Sequence, residues 1–134
     1  MNRPFAWLLG LLLTACSPTG EQVRECSSWN DDWKFALSDS AQDYSSPDSD
    51  DSTWRILSLP HDWSIEGDFS LDNPSTPGGG ALPGGIGWYR KTFTLPETDR
   101  GKVVYVDFDG DCRNSEVWIN GHSLGFRPNG YVSF

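Results

Sequence analysis

Carboxylates, histidines, cysteines and glycine loops are the groups in this sequence whose types and spacing could carry chemistry. Asp107, Asp109 and Asp111 alternate. On a strand, alternate side chains point the same way, as a paired-carboxylate site would need. That face is expected to point to solvent, so the trio reads as a solvated edge. Glu66, Glu97 and Glu116 fall in a loop, after a strand and inside a strand, and each reads as a surface charge. His61 and His122 stand alone, and there is no CxxC and no Cys/His cluster, so no zinc site is expected. Residues 38–52 are mostly Ser, Asp and small polar residues. They lack the spaced acids and glycine of a calcium loop and read as a solvated segment. The glycines around 78–85 precede a strand rather than a helix and lack the Lys-Ser/Thr ending of a phosphate loop. No catalytic residue, metal ligand or cofactor is assigned.

The elements that must position any site begin after an export signal. Met1-Asn2-Arg3 is a short basic start, and residues 5–15 are an almost unbroken apolar run. The run is too short to span a bilayer and suits the core of a signal peptide. Leu13-Thr14-Ala15-Cys16 looks like a bacterial lipobox, which makes Cys16 the expected site of lipid attachment. An ordinary signal peptide with an incidental cysteine is the alternative. Residues 1–16 are thus read as signal and lipobox, and 17–28 as a polar tether. The expected location is that of an exported, membrane-anchored lipoprotein in the outer membrane or periplasm of a Gram-negative bacterium. Ser17 after the cysteine favours outer-membrane sorting. Cys26 and Cys112 remain, and a disulfide between them is possible in an exported chain. Cys26 lies in the tether and Cys112 at a strand end, so the pairing stays open.

The 134 residues suit one ordinary domain. Lys+Arg number 10 against 19 Asp+Glu, a net charge of -9, with no basic face for nucleic acid. Seven tryptophans are many for this length; they are core residues first, with faces that can also stack on sugar rings. Trp33, Phe35 and Leu37 alternate, and Trp54 to Leu59 reads as a strand ended by Pro60. Residues 64–87 form a long irregular segment rich in Gly and Pro. Strands are then expected over Tyr89–Leu95 and Val103–Phe108, both with period two. Asn120-Gly121 predicts a type I′ turn joining Glu116–Ile119 to His122–Phe126. Tyr131–Phe134 starts a further extended piece. No amphipathic helix is evident, and short strands with Gly/Pro turns point to an all-β sandwich.

Three segments carry a family resemblance: Leu59-Pro60-His61-Asp62-Trp63, the run from Gly84 to Phe93, and Asn114 to His122. Together they resemble glycoside hydrolase family 2, in particular the N-terminal sugar-binding domain of its β-galactosidases. The resemblance covers roughly residues 29–134. It implies a jelly-roll-type β-sandwich of the galactose-binding-domain kind and a carbohydrate partner, a β-galactoside-like glycan. Family members hydrolyse O-glycosyl bonds with retention, using two glutamates on a (β/α)8 barrel that lies beyond this domain. No glutamate here matches those motifs. Ending on a budding strand, the chain is expected to be a truncated fragment with an incomplete sandwich.

The resemblance also implies a site. In related enzymes, loops of this domain help shape the sugar subsite, and Arg127-Pro128-Asn129-Gly130-Tyr131 follows the hairpin where the family has such a loop. Arg127 and Asn129 would hydrogen-bond sugar hydroxyls and Tyr131 would stack. The plain alternative is a turn built from Pro128 and Asn129-Gly130, with Tyr131 in the core. The 74–87 loop has similar status, with domain packing as its alternative. His61 and Asp62 are expected to bond the backbone at a sharp strand exit. Beside the glycosidase reading stand a non-enzymatic carbohydrate-binding lipoprotein and a structural surface protein.

Overall fold

The computed structural model describes residues 24–38, 42–111 and 113–134. The signal segment, the lipobox with Cys16, most of the tether and Cys112 lie outside the described residues. Five strands are present among them: β1 Trp33–Ser38, β2 Arg55–Leu57, β3 Ile86–Arg90, β4 Ser115–Ile119 and β5 His122–Arg127. Short 3-10 turns at Trp63–Glu66, Pro77–Gly79 and Glu97–Asp99 are the only helical pieces described. β2, β1 and β3 form a three-stranded antiparallel sheet in that order, and β4 and β5 form a two-stranded one. The fold is all-β, as the strand pattern required.

β1 is the central strand because its alternating Trp33 and Phe35 are buried, together with Trp54 at the entrance to β2. The alternation fails at Leu37, which is 54% exposed. Its partner in β3 is Gly87, which has no side chain to cover it, and β2 ends opposite Phe35. β3 starts earlier and stops earlier than expected. Arg90 pairs with Lys34, and just before β1 the chain turns away through Asp32 at φ 58. Residues beyond Arg90 therefore have no strand opposite them, and Phe93 and Leu95 stay partly exposed.

The strand expected over 103–108 has the right alternation but no ladder partner among the described residues. Only Phe108 is tied, by reciprocal backbone bonds to Phe134 of 2.9 and 3.0 Å. Val103, Val104, Tyr105 and Val106 are all exposed, so neither face of the run is buried. Alternation states which face a strand would bury; hydrogen-bond partners are still needed to make it one.

The acidic segment was expected to be a solvated loop over 38–52, and the described residues 42–52 are a mostly exposed loop, which in addition wraps around Arg90. The guanidinium donates to the carbonyl oxygens of Ser49 at 2.7 Å, Tyr44 at 2.7 Å and Ser46 at 3.0 Å, and to Asp51 Oδ2 at 3.3 Å. Lys34 Nζ donates to the other Asp51 oxygen at 2.6 Å. The Arg90 side chain is only 17% exposed and lies 5.0 Å from the Trp54 ring centre. Local Asx and Ser turns, such as Asp43 Oδ1 accepting from Ser45 N at 2.8 Å, shape the loop so that its carbonyls converge.

The β4–β5 turn has Asn120 at φ 50 and Gly121 at φ 80, the pair of positive values that a type I′ turn needs. A bulge between Val117 and Trp118 shifts the register. The turn abuts the acidic loop: a Cβ on Gly121 would meet Pro47 Cδ at 3.2 Å. Trp88 and Trp118 stack at 5.4 Å and 26°, which joins the hairpin to β3.

Two outcomes follow from this packing. Gly121→Val is expected to lower stability by about 1–3 kcal/mol, because a β-branched residue resists positive φ. Urea denaturation checks it, and an unchanged midpoint rules out the turn. The second concerns Asp51, whose carboxyl is held below its ordinary value of 3.8, chiefly by the hydrogen bond from Lys34 and then by that from Arg90. A depressed carboxyl contributes stability that is present above about pH 4 and is lost as pH falls through the folded-state value. Asp51→Asn should therefore be destabilising at neutral pH and much less so at about pH 3. Equal losses at both pH values would show that the charge is not what matters.

Candidate functional site

The candidate site is the turn after β5. Arg127 is the last residue of β5 and sits opposite Ser115 of β4. Pro128 then ends the ladder, having no N–H to give. Asn129 Oδ1 accepts from the backbone N–H of Tyr131 at 2.9 Å, which bends the chain in an Asx turn. That bond uses the amide oxygen and leaves the Nδ2 donors free. Tyr131 is 95% exposed, so it is not a core residue and its ring faces are open.

Behind the turn, Phe134 stacks on Phe108 at 5.1 Å and 19°. Ser133 Oγ donates to the Asp109 carbonyl at 3.1 Å, and a Cβ on Gly110 would stand 2.9 Å from the Gly130 oxygen. The guanidinium of Arg127 lies 4.9 Å from the Phe134 ring centre. The turn thus joins Asn129 directly to Tyr131, and holds Arg127 through Phe134. This arrangement offers an open aromatic ring, amide donors and a guanidinium on one exposed bend. These are the groups that bind sugar hydroxyls and stack on sugar rings.

The 74–87 loop and the residues just before it are tied by local bonds. Asn73 Nδ2 donates to the carbonyls of Asp68 and Ala81 at 2.9 and 2.8 Å, and Ser75 Oγ to that of Leu82 at 2.6 Å. Asp107 pairs with Arg24 at 3.5 Å, and no group of three metal-binding side chains occurs among the described residues. Cys26 is exposed with a free thiol.

A second cluster was missed in the sequence. His61 Nδ1 lies 2.8 Å from the Tyr89 hydroxyl, and its Nε2 lies 3.1 Å from both Glu66 Oε1 and an Arg55 nitrogen. Arg55 also pairs with Glu66 and lies 4.9 Å from the Phe35 ring centre. Asp62 behaves as expected, capping the 3-10 turn by accepting from Ser64 N at 3.0 Å. His61 does not bond the backbone; its partners are side chains, and it is 12% exposed. Glu66 is not a free surface charge, and Arg55, then His61, hold its carboxyl below the usual range. Burial, followed by the charge of Asp62, pushes the Tyr89 hydroxyl up to about 12. At neutral pH that hydroxyl keeps its proton. The network closes on itself and ties β2, β3 and the 3-10 turn together. No sequence signal could have found it, since Tyr89 is distant in the chain. An open groove of about 500 Å³ borders it, lined by Phe35, Tyr44, Trp54 and Trp63 among others. Arg55 and Arg90 already cover faces of Phe35 and Trp54.

Comparison with known proteins places this geometry. No protein-family model matches the chain. The β-galactosidase BoGH2A of Bacteroides ovatus is 57% identical over 123 residues, which is 91% of this chain and 14% of that protein. A β-glucuronidase of Formosa agariphila is 35% identical over 83% of this chain and 11% of its own length. A β-glycosidase structure from Bacteroides vulgatus superposes with a TM-score of 0.75 at 53% identity, over 79% of this chain and 14% of that one. A family 2 glycosyl hydrolase structure from Bacteroides cellulosilyticus gives 0.73 at 37% identity, over 81% of this chain and 15% of that one. The fold is therefore that of a β-sandwich domain of glycosidases. The chain belongs to glycoside hydrolase family 2. It spans 11–15% of the length of the relatives and structures quoted, and among the described residues there is no catalytic barrel.

Proposed function

We propose that this chain is the sugar-binding segment of an exported, retaining β-galactosidase-like glycoside hydrolase, acting in carbohydrate degradation. The observation that carries it is the 57% identity to a β-galactosidase across 91% of the chain. The turn Arg127–Tyr131 would hold a sugar at the edge of the active site, while two glutamates on a separate barrel would cut the glycosidic bond. The carboxylates described here have other work. Glu66 is held by Arg55 and His61, Glu97 by Arg100, and Glu116 accepts from Ser123.

Export and anchoring are part of the same proposal. The basic start, the apolar run and Leu13-Thr14-Ala15-Cys16 support a lipoprotein whose Cys16 carries the lipid. Among the described residues no helix is long and apolar enough to cross a membrane. A multiply acylated cysteine anchors stably where one chain does not.

The purified full chain should bind a methyl β-galactoside, seen as shifts of its amide NMR signals, and should not hydrolyse aryl β-galactosides. Tyr131→Ala should weaken binding by about tenfold, the loss of roughly 1–2 kcal/mol of ring contact. Turnover that persists through repeated purification would overturn the division of labour. In a Gram-negative host, radioactive palmitate should label the chain but not Cys16→Ala; equal labelling would remove the anchor.

A further inference from the structure

Two Asn-Gly pairs occur in the sequence, Asn120-Gly121 and Asn129-Gly130. An asparagine followed by glycine can react with its own backbone, because glycine carries no side chain to hinder approach to its nitrogen. The fold treats the two pairs differently. Asn129 is tied, its Oδ1 accepting from the Tyr131 N–H at 2.9 Å. The Gly130 peptide is packed as well, with its oxygen 2.9 Å from where a Cβ on Gly110 would stand.

Asn120 and Gly121 are both exposed at the tip of the β4–β5 hairpin. The last ladder pair is Ile119 with His122, so the Gly121 N–H lies outside the ladder. No hydrogen bond among the described residues engages that N–H or the Asn120 side chain. To bring the Gly121 nitrogen against its side chain, Asn120 must leave its φ of 50. That motion disturbs only the end of the hairpin. Ile119 and His122 are themselves exposed, so little buried contact resists it.

We propose that Asn120 is a site of spontaneous deamidation in the folded protein, and that the isoaspartyl product loosens the hairpin tip from the 42–52 loop. The Gly121 nitrogen gives its proton to solvent and attacks Asn120 Cγ. The new N–Cγ bond closes a succinimide ring. The Cγ–Nδ2 bond breaks, and Nδ2 takes up a proton and leaves as ammonia. Water then adds to one of the two ring carbonyls. Opening at Cγ gives an aspartate. Opening at the main-chain carbonyl gives an isoaspartate, whose backbone runs through Cβ and Cγ.

The two products act differently on the turn. Asp-Gly suits a type I′ turn as Asn-Gly does, so the aspartate keeps the turn and adds only a charge. The isoaspartate lengthens the backbone inside a two-residue turn that sets the strand register. It also moves the contact with the loop, where there is no slack: a Cβ on Gly121 would meet Pro47 Cδ at 3.2 Å. Pro47 follows Ser46, whose carbonyl is one of those that hold Arg90.

The test is to incubate the full chain at neutral pH, folded and in urea, and to map both Asn-Gly pairs by peptide mass spectrometry. Isoaspartyl methyltransferase marks the isoaspartate. The two rates in urea, where only local sequence acts, set the reference ratio. In the folded chain the ratio of Asn120 to Asn129 conversion should exceed that reference by at least about fivefold, the factor expected when a hydrogen bond must break first. The isoaspartyl fraction, separated by chromatography, should unfold at lower urea than the unreacted chain. Freshly made Asn120→Asp should unfold close to the parent. Asn120 that stays an amide in the folded chain while it converts in urea overturns the site. A folded-state ratio equal to the reference overturns the role of the fold in selecting it. An isoaspartyl fraction with the parent's midpoint overturns the loosening of the tip. An equal loss in Asn120→Asp overturns the lengthened backbone as its cause.

Discussion

The capture of one loop by one guanidinium is the interaction on which the rest of this structure depends. Arg90 ends β3, and four oxygens from residues 44–51 converge on it. A segment of serines and aspartates has too little apolar surface to order itself. A mostly buried cation needs partners, because an unpaired charge out of water costs several kcal/mol. Each requirement meets the other. The loop's carbonyls solvate Arg90, and Arg90 orders the loop. Tyr44, carried by that loop, then places its ring against Trp54 at 5.0 Å and Trp88 at 5.6 Å.

From this clamp the order propagates to the hairpin. Trp88 is two residues before Arg90 and faces Trp118 of β4. Pro47, in the middle of the clamped loop, meets the Asn120-Gly121 turn. The hairpin is thus held at its tip by the loop and along its length by the tryptophan stack. Its other end, where β5 runs into Pro128, is free of both. The exposed bend with Asn129 and Tyr131 sits at that far end, where the strands deliver it and no described residue covers Tyr131.

The readable parts of the sequence were those decided by local rules. Asn120-Gly121 specified its turn because few residues tolerate two successive positive φ values. Trp33 and Phe35 announced the core by alternation, and the missing helical period excluded helices. Asp62 capped its turn as its neighbours required. The unreadable parts depended on distant partners. The strand ends at Arg90 and the unpaired 103–108 run were set by what lay opposite, which periodicity does not report. The acidic loop was legible as solvated but its hold on Arg90 was not, because that arginine lies some forty residues away, with |i−j| of 39 to 46 in its bonds. Glu66 and His61 looked independent for the same reason, as Tyr89 is 28 residues from His61. Of the site, the residue types and their place after the hairpin were legible. The exposure of Tyr131 and the seat of Arg127 on Phe134 were not, since both rest on how Phe108 and Phe134 pair.

The molecule's polar clusters follow two opposite logics, and the contrast says where a ligand belongs. Around Arg90 and around His61, nearly every donor meets an acceptor within the fold. Such networks rigidify a structure and have little capacity left for anything else. The bend after β5 is built the other way. Asn129 spends its oxygen to make the turn and keeps its N–H groups, Tyr131 keeps its ring faces, and Arg127 is oriented by an aromatic face instead of being neutralised by a carboxylate. A protein with 19 acidic residues does not lack carboxylates to place beside an arginine. Holding Arg127 by stacking fixes its direction while preserving its charge, which is the condition for recognising something that arrives from outside.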